Sequence, residues 1–528
     1  MLLTVIIIVY LFVIAYLGYL GYRRTSSTKD YLVAGRTINP YVMAMSYGAT
    51  FISTSAIVGF GGVAGLFGMG LLWLTVLTIF VGIFIAFLVY GKRTRKMGHN
   101  INAHTFPELL GRRYDSKLIQ KLSGIVIFLA MPLYAAVVLI GGSRFIEQTL
   151  NVNFEAALLV FSVIIAAYVI AGGLKGVMYT DALQGSIMFV SMVFLIGLTY
   201  YKLGGITEAH AKLTAMAQLV PPPLQKIGHS GWTAMPAVGS GWWWELVSTL
   251  VMGVGIGVLA QPQLVVRFMT VRSNRELNRA ILIGGIFILA CTGGAFVVGS
   301  LTNAYFYENQ GVIAIAAAKG NFDNIIPLYI NEALPGWFVY LFMITLLSAA
   351  MSTLSSQFHA MGTAIGHDVY ATFKKNSEKD RTILISKLGI LFAICLSVVI
   401  GYTLPQGIIA RGTAVFFGIC AATFLPAYTA AIYWKKATKE AALASIITGF
   451  STSLLYLLFF HKKNAAGLGL CRFIFGKDFL IETMPWPIID PMVISLPISA
   501  VVLVVVTYLT FKPGHNSSHL SSCFKDIT

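Results

Sequence analysis

The sequence predicts an all-α polytopic membrane protein, on two compositional observations and one of pattern. Of its 528 residues 57% are hydrophobic and only 11% are charged, whereas a soluble chain carries about a quarter charged residues. So little charge cannot cover a folded surface with water, and with a mean hydropathy of +0.79 the surplus apolar surface must face lipid. The apolar residues are also gathered into about thirteen runs, each near the ~20 residues a helix needs to cross the hydrocarbon core.

Taken in order, the runs lie near 2–22, 40–66, 70–91, 122–142, 154–172 and 180–202, then near 244–266, 280–304, 333–361, 383–404, 408–433, 440–460 and 490–511. The first lacks a basic leader and a small-residue cleavage site, so it is expected to stay as a helix. The second, INPYVMAMSYGATFISTSAIVGFGG, holds Ser46, Thr50, Ser53, Thr54 and Ser55 at mid-membrane depth and then Gly59, Gly61 and Gly62. The seventh, LVMGVGIGVLAQPQLVVRF, holds Gly253, Gly255 and Gly257 before Gln261-Pro262. Both invite a helix break, and irregular backbone in a membrane is tolerated only where it lines a cavity or is buried in protein. A matched pair of interrupted helices points to the binding site of an inverted-repeat transporter; the alternative is close helix packing through small residues.

The ninth run places Ser348, Ser352, Thr353, Ser355, Ser356 and Gln357 inside an apolar segment. Ser352 and Thr353 are neighbours and Ala349 lies a turn earlier, so one face can offer two hydroxyls and a carbonyl together. With the carbonyls of Ala49 and Ile52 freed by a break in the second run, five neutral oxygens would suit a small monovalent cation without any carboxylate. Hydroxyls in membrane helices also bond back to a carbonyl one turn earlier, and that reading stays open.

Ionisable residues in or near the runs are few: Asp181, Glu245, Arg144, Arg411 and Asp490. Buried charge is costly, so each is a functional candidate. Asp181 and Arg144 lie near predicted helix ends, and Asp181, after Tyr179-Thr180, has an N-cap reading. His359 in the ninth run is either a proton site or a packing residue.

Lys and Arg total 37 against 20 acids, a net charge of +17. The basic residues sit between the runs on alternate sides, which is an orientation signal and not a nucleic-acid stripe. One side carries Arg23, Arg24, Lys29 and Arg36, then Lys92, Arg93, Arg95, Lys96, Arg112, Arg113 and Lys117. It continues with Arg267, Arg272, Arg275 and Arg279, with Lys374, Lys375, Lys379 and Arg381, and with Lys435, Lys436 and Lys439. The other side has Lys212, Lys226 and Lys319, and a cluster at Lys462, Lys463, Arg472 and Lys477 that runs against the rule. The expectation is an N-terminus outside and a C-terminus in the cytoplasm of a cell-membrane protein.

Other classes lack their signatures. The five cysteines show no CxxC spacing for a zinc site or disulfide framework. A channel would need a carbonyl filter or rings of charge, and an enzyme a metal cluster or a nucleophile with its base; neither pattern is present in the sequence.

The motifs resemble those of the sodium/solute symporters, which include bacterial proline and pantothenate permeases and the sodium/glucose cotransporters. The likeness runs through Ala34-Gly35-Arg36, GGSRFIE at 141–147, GGLKGVMYTDALQG at 172–185, AQPQLVVRFM at 260–269, SAAMSTLSSQ at 348–357 and FLPAYTAAIYWKKATKEAALAS at 424–445. The resemblance implies the five-plus-five inverted repeat of the leucine-transporter fold, with repeats near 40–202 and 244–433 and flanking helices at 2–22, 440–460 and 490–511. It places sodium on Ala49, Ile52, Ala349, Ser352 and Thr353, a coupling aspartate on Asp181 and a cytoplasmic arginine on Arg36. The implied substrate pocket carries Thr50, Phe51, Ser55, Tyr134, Val254 and Val258. Phe51 stands where proline permeases have an aspartate, and valines replace two aromatics, which argues against a strict proline permease and more strongly against a sugar carrier. The expectation is a sodium-coupled importer of a monocarboxylate or pantothenate-like carboxylate, with a proline symporter and, from another class, an ion channel as alternatives. It would need Na+ and its solute in a bilayer, with no cofactor, nucleic acid or obligatory protein partner.

Overall fold

The structure is a computed structural model that describes residues 2–25, 27–373, 379–513 and 517–527, so Lys374 and Lys375 of the basic tally lie outside the described residues. Among the described residues every regular element is helical, and eleven helices are long and apolar enough to cross a membrane. Two joins reconcile these with the thirteen apolar runs. The second half of the second run and the whole of the third fall in one stretch, Ser55–Asn100, while the fifth run forms only the shorter apolar helix Phe154–Ala166.

Glycine makes both joins. Gly68 (φ 78°) turns the chain between the helices Phe60–Phe67 and Leu72–Ile79, and the neighbouring Met69 N–H donates to the Trp232 carbonyl at 2.6 Å. A Cβ at Gly68 would strike the Trp232 backbone, so both the positive φ and the close approach require glycine. Gly173 (φ 57°, ψ 175°) breaks Phe154–Lys202 in the same way. Asp181 therefore lies about two turns inside the second half of that helix. It is not an N-cap, and the capping reading is corrected.

The broken second run begins as a well-specified helix, Pro40–Phe51, with Asn39 capping Tyr41 N–H and proline at its first position. It ends at Ile52, whose φ −84° and ψ 98° leave the helical ladder. Burial sorts the spans into centre and periphery. In Gly336–Phe373 and Ile409–Tyr433, 83% and 89% of the apolar window is buried, against 17% in Val5–Arg23 and 28% in Met492–Thr510. The first pair forms the centre around the break; the second pair faces lipid.

On the basic face, Arg36 is buried and donates to the carbonyls of Gly98 and Ala103 at 3.1 and 2.7 Å. The short helix Phe106–Arg113 is tied to Gly336–Phe373 by buried Glu108, which pairs with His104 at 3.3 Å, Arg112 at 2.6 Å and His367 at 3.2 Å. Burial alone would push the Glu108 carboxyl up; the close approach of the His104 and His367 side chains, with the charges of His367 and Arg112, outweighs it and holds the group well below the usual carboxylate range. The misfit basic cluster is partly compensated, since Glu245 pairs with Lys463 at 3.3 Å and with Arg411.

Candidate functional site

The break at Ile52 faces the middle of Gly336–Phe373. Ser352 Oγ donates to the Ala49 carbonyl at 2.8 Å and lies 3.3 Å from that of Ala349. Thr353 Oγ1 donates to the Thr50 carbonyl at 3.0 Å and lies 3.3 Å from that of Ala49. Ala49, Ile52, Ala349, Ser352 and Thr353 are all fully buried. The hydroxyl pair and the carbonyls of Ala49 and Ala349 are thus brought together, with Ile52 at the end of the same broken helix. Each hydroxyl can turn its proton away and present oxygen lone pairs, so the cluster is chemically able to ligate a hard monovalent cation.

One helical turn away is a fully buried ion pair. Arg267 Nη2 is 2.9 Å from Asp181 Oδ2, with neither side chain exposed. The same nitrogen donates to Thr50 Oγ1 at 2.5 Å and to Ser356 Oγ at 2.6 Å, Nε donates to Ser46 Oγ at 2.9 Å, and Nη1 donates to the Gln263 carbonyl. Ser46 in turn donates to Asp181 Oδ2 at 2.7 Å. The guanidinium therefore bridges the broken helix, the Asp181 helix and the hydroxyl-bearing helix. Ser356 also donates to the Ser352 carbonyl at 3.0 Å, so a short chain of hydrogen bonds joins the ion pair to the hydroxyl cluster.

Arg267 is the functional candidate that reading the sequence missed. It counts there among the loop charges, and the structure corrects this: Arg267 is an interior residue, as the segment Val265, Val266, Phe268 and Met269 around it signals. Arg272, Arg275 and Arg279, by contrast, are exposed. Arg36 is not part of this cluster; it holds the carbonyls of Gly98 and Ala103. His359 packs against the Tyr31 ring at 5.2 Å.

Beside the break is a small cavity of about 20 Å³, room for about one water. Phe51, Tyr134 and Val254 line it, with Phe417 and the hydroxyl residues Ser53, Thr78, Thr292 and Thr413. Tyr134 stacks on Phe416 at 5.2 Å, and the Phe51 and Phe417 rings are 6.0 Å apart. Thr50, Ser55 and Val258 do not line it. The Thr50 hydroxyl is turned to Arg267, Val258 packs toward Gly82, and Ser55 Oγ is buried without a hydrogen-bond partner. The wall offers rings, valine and neutral hydroxyls, with no charged side chain.

A model of the sodium:solute symporter family matches residues 31–449, a span that contains the break, the hydroxyl pair, Asp181 and Arg267. The chain belongs to that family. The symporter is 29% identical over 483 residues to the sodium/pantothenate symporter of Haemophilus influenzae, covering 90% of this chain and 95% of that one. It is 25% identical over 475 residues to the sodium/proline symporter of Escherichia coli, covering 89% of each. Among solved structures, a Na+-coupled sialic acid symporter in a substrate-bound outward-open state aligns with a TM-score of 0.74 at 18% identity, covering 96% of this chain and 98% of that one. The fold is that of the leucine transporter, and the symporter is a multi-pass membrane protein that couples sodium to movement of a solute.

Proposed function

We propose that the symporter imports a small organic carboxylate, a monocarboxylate or pantothenate-like acid, together with Na+ held by Ala49, Ile52, Ala349, Ser352 and Thr353. The observation that carries this reading is the convergence of the Ser352 and Thr353 hydroxyls on the carbonyls at the break, next to a cavity walled by Phe51, Tyr134 and Val254. Charge balance favours an anion. Asp181 and Arg267 already offset each other, so an arriving sodium leaves the buried centre with one uncompensated positive charge, and low-dielectric surroundings make that charge costly until a carboxylate offsets it. The apolar wall suits the substrate's hydrocarbon body. Asp181 acts as the coupling group and Arg36 steadies the cytoplasmic end of the broken helix. Alternating access arises from rocking of repeats near 40–202 and 244–433. A second reading, proline, draws on the Tyr134 wall and on the proline symporters among the relatives.

The deciding test is counterflow and uptake in proteoliposomes with labelled monocarboxylates, pantothenate and proline. Uptake of a carboxylate that collapses when sodium is replaced by choline at fixed pH supports the proposal; sodium-driven uptake of proline alone selects the second reading. Uptake indifferent to choline would remove sodium from the site. Phe51→Ala is expected to change which solutes compete while leaving the sodium response near wild type, because it alters the cavity wall and keeps the Ala49 and Ile52 carbonyls.

We also propose that the N-terminus is outside and the C-terminus cytoplasmic. The density of Lys and Arg over residues 92–117 supports this. Single cysteines in that stretch are expected to react with a membrane-impermeant reagent only in inside-out vesicles; labelling in intact cells would reverse the topology.

A further inference from the structure

A cavity of about 330 Å³ opens where Ile409–Tyr433, Lys439–Phe459 and Met492–Thr510 end together, away from the ion and substrate cluster. Five cationic side chains line it, Arg113, Lys435, Lys436, Lys439 and Lys512, against two carboxylates, Asp115 and Glu440. Opposite charges hardly compensate the five. Lys439 approaches Glu440 only at 3.9 Å, and Lys435, Lys436 and Lys512 make no ion pair among the described residues.

Arg113 makes the cavity more than a patch of surface lysines. It is 2% exposed. Its Nε donates to the Ala431 carbonyl at 2.9 Å and Nη2 to that of Trp434 at 3.0 Å, while the guanidinium lies 5.1 Å from the rings of both Tyr114 and Phe524. Two of its three nitrogens are thus held, and Nη1 has no hydrogen-bond partner among the described residues, so the group is pre-set in a way that suits recognition of an oxyanion. The stems of Lys435 and Lys436 are steered by the rings of Phe524 and Phe511, 5.5 and 5.7 Å from their ammonium groups. The cavity also receives the N-terminus of the long helix Lys439–Phe459, whose dipole adds positive potential.

Its depth is marked independently by aromatic residues. Trp434 and Tyr508 pack edge to face at 6.1 Å, and Tyr433 and Tyr508 are 40% and 74% exposed at the same helix ends. Tyrosine and tryptophan gather at the level of lipid headgroups, and basic pockets between membrane helices at that level bind phosphate-bearing headgroups. Thr438 and Thr510 share a hydrogen bond of 2.6 Å across the helix ends, so two walls of the cavity are joined.

We infer that this cavity is a binding site for a phosphate group, carried by an anionic lipid headgroup or free in solution, built from Arg113 and the lysines at 435, 436, 439 and 512. The purified full-length symporter is titrated with phosphatidylglycerol, with phosphatidylcholine as baseline, and with inorganic phosphate; bound lipid is counted by native mass spectrometry and protection followed by thermal unfolding. The variant K435Q/K436Q/K439Q is compared with R272Q/R275Q/R279Q, which removes the same charge from exposed positions elsewhere. Phosphatidylglycerol is expected to survive a delipidating wash on the wild type and on the arginine control, and to bind at least tenfold more weakly to the lysine variant. If inorganic phosphate displaces the lipid and protects with the same variant pattern, the source is free phosphate; if it does neither, the source is the headgroup. Equal loss in both variants, or loss in neither, overturns the site. Both substituted sets are exposed, so sodium-driven uptake by each variant confirms that it is folded.

Discussion

Asp181→Ala, with Arg267 retained, is expected to give the largest loss of any single substitution in the membrane interior. It leaves a fully buried guanidinium without its carboxylate, and removing one partner of a buried pair costs about 3–5 kcal/mol. Thermal unfolding of the purified protein should shift strongly downward and uptake should vanish. The informative comparison is the double variant Asp181→Asn/Arg267→Gln, which buries no unpaired charge. Its unfolding temperature should recover most of the loss, because the desolvation penalty disappears with the charges, while uptake remains impaired if the pair also serves coupling. An Asp181→Ala protein with wild-type unfolding temperature would show that Arg267 does not depend on that carboxylate. Full recovery of uptake in the double variant would confine the pair to a packing role.

Thr353→Ala is expected to raise the sodium concentration for half-maximal uptake by roughly 10- to 100-fold, on the scale of about 1.5–3 kcal/mol for one bond to a charged group. The hydroxyl removed is the one that meets the Thr50 carbonyl at 3.0 Å. Sodium and substrate affinities are reciprocally linked, so the variant should also bind substrate weakly at low sodium and recover partly at high sodium. Thr353→Ser keeps the oxygen and should stay near wild type. A Thr353→Ala protein with altered solute preference and an unchanged sodium response would assign the hydroxyls to helix packing instead, the alternative that residue pattern alone left open.

Much of the architecture was legible because hydropathy is a local property. A run of about 20 apolar residues has to be buried in lipid or protein wherever the chain goes, and the polar residues interrupting the second and ninth runs stand out against that background. The break at Ile52, the approach of Ser352 and Thr353 to it, and the symporter fold all follow patterns visible in the linear order. The same locality explains the misreadings. Positive charge between apolar runs reads as loop charge, which places Arg267 on a face, whereas its partners are Asp181 and Ser46, 86 and 221 residues distant in sequence. No local window contains that pairing. The capping alternative for Asp181 fails because the kink at Gly173 sets the helix start earlier than the apolar run suggests. Thr50 sits beside Phe51, yet successive residues on a helix point about 100° apart, and only the packed neighbours decided that its hydroxyl meets Arg267 while Phe51 lines the cavity. The sequence by itself determined the membrane class, the number of apolar runs and the polar interruptions. Tertiary structure alone decided which charges are interior, because the free energy of a buried charge depends on the partner that packing brings to it.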